Sequence, residues 1–116
     1  MTSGALAGLR QLHDDLALFD HPDSIRRVDE LGRIAATLPR CAAELEAEGA
    51  PDDVRERLAM AFHAVRRAER AALGYRDRPL TRPLSQAKFA LASGQARGWV
   101  LNTIGRVEGD ATGEER

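Results

Sequence analysis

Alanine and leucine supply 20 and 14 of the 50 hydrophobic residues in this chain, whereas isoleucine and valine together supply eight. That bias constrains the fold more than any other feature. Alanine and leucine lose little side-chain freedom in a helix, and the β-branched residues that suit a pleated sheet are scarce. The expected class is all-α. Its form is a small four-helix bundle with a kinked second helix and a disordered acidic C-terminal tail.

A chain of 116 residues suits one domain, assigned here to residues 1–107, with the tail over 108–116. Its single cysteine excludes an internal disulfide and a cysteine-rich zinc site, and fits a reducing cytoplasm. No apolar run approaches the ~20 residues of a membrane span, and the N-terminus lacks the order of a signal peptide. No membrane contact is expected.

Helical spacing of Leu6, Leu9, Leu12, Leu16 and Phe19 predicts a first helix from about Ser3 to Phe19. Asp20-His21-Pro22 ends it, because proline biases the preceding residue away from helix. Asp23 or Ser24 is the expected cap of a second helix that stops at Gly49. Val28, Leu31, Ala35, Leu38, Ala42 and Leu45 keep one stripe across Pro39, so a kinked continuous helix is expected there rather than a break. A third helix is predicted from Pro51-Asp52-Asp53 to Gly74, with Val54, Leu58, Ala61, Val65, Ala68 and Ala72 as its seam. Residues 75–84 read as a loop stiffened by Pro79 and Pro83. Ser85 is the expected cap of a fourth helix that reaches about Val107 and has freedom to cross the others.

The fourth helix is apolar on two opposite sides. One carries Leu84, Ala87, Leu91, Gly94, Gly98, Leu101 and Gly105; the other carries Phe89, Ala96, Val100, Ile104 and Val107. A helix of this kind is normally covered on both sides, and a small monomer cannot obviously supply both covers. Three glycines on one stripe, each costing ~1 kcal/mol relative to alanine, point to close helix–helix approach. Self-association, as a homodimer, is therefore expected, with Phe89, Gly94, Gly98, Trp99, Val100 and Ile104 as its candidate residues.

A formal net charge of −1 conceals segregation along the chain. Residues 1–53 hold five basic and eleven acidic groups, residues 54–107 eleven and three, and residues 108–116 one and four. His63, Arg66, Arg67 and Arg70 share one face of the third helix, and Arg76, Arg78 and Arg82 follow in the loop. Together they form the candidate anion-binding set, because a guanidinium fork matches phosphate oxygens. The competing readings are a solvated face, pairing of these arginines with the acidic first half within the monomer, complementarity of the two halves across a dimer, and an acidic protein partner. Few aromatics accompany them, so nucleic acid is a possible but not a favoured partner.

No catalytic, cofactor or metal motif is apparent. His13 and Cys41 read as core residues, and His13, Asp14, Asp20 and His21 lack the spacing of a metal site. Arg57 and His63 stand in the order Arg-x5-His, which resembles the Arg-x(4–6)-His signature of the helical HEPN-type ribonucleases. Leu58 departs from that family's pattern and the two side chains fall apart on the wheel, so no role is carried over. The expected function is a non-enzymatic cytoplasmic module acting through protein–protein contacts, including self-association. The alternatives are a polyanion-binding or nucleic-acid-binding regulator that uses the arginine face, and a small-molecule binder or enzyme with a pocket inside the bundle.

Overall fold

The computed structural model describes residues 4–113, and over them the chain is helical with short connections. Helix α1 spans Gly4–Ala17 and tightens into a 3-10 turn at Leu18–Asp20. His21 is extended, with φ −81° and ψ 133°, as a residue before proline should be. A second 3-10 turn then occupies Pro22–Arg26, and α2 runs over Val28–Ala47. Ser24 therefore does not cap α2. Its hydroxyl and its N–H both donate to the His21 carbonyl, closing the turn that buries Ile25.

Helix α2 is continuous through Pro39. The ring removes the bond to the Ala35 carbonyl. Pro39 lies on the exposed side of the helix, while Leu31, Ala35, Leu38 and Leu45 keep their common buried stripe. A Schellman motif ends the helix: Gly49 N–H donates to Glu46 O and Ala50 N–H to Leu45 O, each at 3.0 Å. Gly49 takes φ +88°, which a residue with a Cβ rarely adopts.

Helix α3 spans Asp52–Asp77 and passes straight through Gly74, which is not the stop that its sequence position suggests. The expected loop contracts to Arg78 and a 3-10 turn at Pro79–Thr81, because α4 already begins at Arg82 and carries Pro83 in its first turn. Proline is accommodated there, where its missing N–H has no helical partner to lose. Ser85 lies inside the helix and is buried. The helical path of α4 runs to Gly113, past the expected end at Val107. Residues 114–116 of the expected tail lie outside the described residues.

The helices form an up-down-up-down bundle. Gly8 meets Cys41 and Asp15 meets Arg33, so α1 and α2 are antiparallel. Gly32 with Glu69 and Glu46 with Arg55 set α2 against α3 in the same sense. Gly74 with Ser85, Arg67 with Gln95 and Asp53 with Arg106 do so for α3 and α4. Asp20 with Arg97 and Arg10 with Glu108 close the ring from α1 to α4. The expected freedom of α4 to cross is thus lost to a short connection and its extensive packing on α3. All six α3 seam residues are buried, as are the five apolar residues assigned to the first helix. No helix among the described residues is long and apolar enough to cross a membrane.

Candidate functional site: the outer face of α4 and the cleft beside it

The two apolar sides of α4 have different fates. Phe89, Ala92, Ala96, Val100 and Ile104 face inward and are buried in the chain's own core. The Phe89 ring packs against that of Phe19, with centroids 6.0 Å apart and the planes at 59°. Leu84, Ala87, Leu91, Gly94, Gly98, Leu101 and Gly105 face outward, and every one is exposed. Leu84, Leu91 and Leu101 expose 56%, 64% and 55% of their surface. A Cβ added at Gly94, Gly98 or Gly105 would meet nothing within 4 Å.

This division corrects the expected self-association set. Phe89, Val100 and Ile104 are committed to the core, and Trp99 is half-buried against it. Of the six, only Gly94 and Gly98 are exposed, and Trp99 keeps part of its surface accessible. The three exposed leucines of α4 belong with them. Their signal was present in the sequence as the other apolar stripe; the wheel alone does not say which stripe turns inward. Likewise, among the described residues no element makes the close approach that the glycine stripe suggests.

The candidate anion-binding set also divides. Arg67, Arg70 and Arg78 line a cleft of about 450 Å³ between α3 and α4. Lys88, the only lysine, joins them from α4. The antiparallel packing of α3 on α4 brings it there, and sequence separation concealed it. Arg67 Nη2 donates to Gln95 Oε1 at 3.0 Å. Arg66 instead pairs with Glu69 at 3.1 Å, and Arg76 with Asp77 at 2.9 Å. Arg82 donates from Nε to the Tyr75 carbonyl at 2.9 Å and lies 5.0 Å from the centre of the Tyr75 ring, a cation–π contact. Arg76 and Arg82 line a different cleft, of about 500 Å³, with Asp29 and Ile25. His63 is exposed and meets the Phe62 ring edge-on at 5.7 Å.

The charge segregation is partly consumed inside the molecule. Asp20 takes Arg97, and Asp53 takes both Arg57 and Arg106. Arg57 also donates to Asn102, so it is oriented by α4 rather than toward His63. His13 lies 3.8 Å from Asp14, and Asp20 is turned to Arg97. No group of three or more metal-binding side chains gathers among the described residues. Cys41 is a buried free thiol whose pKa burial pushes up, with Glu44 adding to the rise and Arg40 opposing it.

The fold and these surfaces define an all-α bundle with an uncovered apolar face on α4 and a basic cleft beside it. No protein-family model, curated protein or solved structure matches the chain.

Proposed function

We propose that this protein is a self-associating helical module, in which two copies pair through the outward faces of α4 in antiparallel orientation. The observation that supports this reading is the exposed seam from Leu84 to Gly105, spaced alternately by three and four residues. That spacing is the one by which helices interlock side by side. A two-fold axis at Gly94 sets large residues against small ones on either side of that centre. Leu84 of one copy meets the partner's Gly105, Ala87 meets the partner's Leu101, and Leu91 meets the partner's Gly98. Gly94 meets the partner's Gly94, where missing side chains let the backbones approach.

A parallel pair in register would instead stack leucine on leucine and leave glycine facing glycine, with voids that forfeit contact energy. The flanks agree with the antiparallel choice. Lys88 falls near the partner's Asn102 and Gln95 near the partner's Gln95, so no like charges oppose each other. The single reduced and buried cysteine is consistent with residence in the cytoplasm, which we include in the proposal.

The interface is one helix face about 30 Å long, at the small end for specific association. A dissociation constant on the order of 10 µM is therefore expected. Analytical ultracentrifugation over a concentration series tests it. The parent should pass from monomer to dimer, and Leu91→Glu or Leu101→Glu should remain monomeric. A second measurement reports orientation. In a Cys41→Ala background, oxidation should cross-link Gly94→Cys to itself but leave Leu84→Cys uncoupled. A parent that stays monomeric at roughly 100 µM would overturn the proposal. So would efficient cross-linking of Leu84→Cys, which is the signature of parallel pairing.

A further inference from the structure

We infer that the cleft between α3 and α4 is a binding site for the phosphoryl group of a small ligand. Its cations come from three separate elements: Arg67 and Arg70 from α3, Arg78 from the connection, and Lys88 from α4. No acidic residue lines the cleft, and Thr81, Ser85 and Gln95 add neutral hydrogen-bonding groups to its wall. At about 450 Å³ its size is that of an ordinary small-molecule site.

Outside this cleft most arginines are ion-paired, and among the described residues Arg26, Arg27, Arg40 and Arg82 are the exceptions. Arg10, Arg33, Arg55, Arg57, Arg66, Arg76, Arg97 and Arg106 each have a carboxylate within ion-pair distance. Arg70, Arg78 and Lys88 have no such partner among the described residues, and Arg67 is held by a neutral amide. Asp77 acts on Arg78 from outside the cleft, but four cations around one cleft still repel one another, and a bound anion relieves that repulsion. Guanidinium forks with a nearby ammonium suit the several acceptor oxygens of a phosphoryl group better than the two of a carboxylate.

The extent of the cleft selects a small ligand over a nucleic acid. From Arg67 to Arg78 the cations cover about 16 Å along α3. Beyond Arg67 the positive charge of the same surface is reduced, because Asp53 is shared by Arg57 and Arg106. The connection at Arg78–Thr81 bounds the other end. A duplex backbone needs a longer positive track than this.

Leu84 and Leu91 line the cleft as well as the proposed seam, so titration of the full chain carrying the monomeric Leu101→Glu substitution with inorganic pyrophosphate, followed by amide chemical shifts, tests the site. Saturable binding at one ligand per chain is expected, with the largest shifts around Arg70, Arg78 and Lys88. Arg70→Gln and Lys88→Gln should each weaken binding at least fivefold. Arg66→Gln, which removes an equal charge from the same helix outside the cleft, should leave it unchanged. A parallel comparison of phenyl phosphate with inorganic phosphate identifies the source of the group. Tighter binding of the former indicates a phosphate ester, and equal or weaker binding indicates a free inorganic anion. Failure to saturate, or an equal loss in Arg66→Gln, would overturn the assignment. So would a duplex oligonucleotide that binds and is not displaced by pyrophosphate.

Discussion

Arg106, far along α4, donates to the same Asp53 carboxylate that Arg57 approaches from one turn further along α3, each Nε lying 3.0 Å from Asp53 Oδ2. One acid in the first turn of α3 thereby joins its own helix to the far part of α4. Partial burial alone would raise the Asp53 pKa, but the hydrogen bonds and charges of Arg57 and Arg106 outweigh it and hold the carboxyl below its ordinary value.

A depressed carboxyl contributes stability that is present above its unfolded pKa of about 4 and is lost as pH falls through the folded value. Asp53→Asn should therefore lower the urea midpoint at pH 7. The gap between parent and variant should narrow as pH drops below about 4. Urea melts at a series of pH values check this; a gap independent of pH would contradict the linkage.

The two sides of α4 should respond oppositely to truncation. Phe89→Ala empties a fully buried position and should cost about 3–5 kcal/mol. Leu101→Ala, on the exposed side, should stay within about 0.5 kcal/mol in dilute protein. Denaturant unfolding of both variants, at concentrations where the chain is monomeric, makes the comparison.

Gly98 offers a test in which stability and pairing separate. Its missing Cβ has open space, so Gly98→Ala should stabilise the isolated chain by up to ~1 kcal/mol through helix propensity. The same methyl fills the hollow that the proposed partner's Leu91 occupies, so dimerisation should weaken. Thermal melts in dilute solution and sedimentation at high concentration should therefore move in opposite directions.

Cys41 is 4% exposed, and its thiol is harder to ionise than a free one. Alkylation by iodoacetamide at pH 8 should be slower than that of a small thiol by roughly a hundredfold or more, because the thiolate is scarce and the site must open. Addition of urea past the midpoint should abolish the protection. Mass spectrometry over a time course measures both rates.

Much of the local structure was legible because it depends on neighbours in sequence. The leucine spacing of α1, the unbroken stripe across Pro39, the seam of α3 and the Gly49 stop all follow from helical periodicity or from one residue's backbone freedom. Boundaries set by contact were not legible. Gly74 resembles a stop, yet α3 continues through it beside Ser85, whose Oγ would lie 3.3 Å from an added Cβ. Pro79 and Pro83 resemble a loop, yet Pro83 sits in the first turn of α4, where proline costs little.

Composition and periodicity by themselves determined an all-α chain, its seams, and a fourth helix with two apolar stripes. Periodicity places residues on a common face without saying which face a neighbouring helix will cover. Only the tertiary structure decided that the stripe of Phe89, Val100 and Ile104 turns into the core and that of Leu84, Leu91 and Leu101 turns out. It alone also brought Lys88 to Arg67, Arg70 and Arg78, because antiparallel packing of α3 on α4 joins residues that the chain keeps apart.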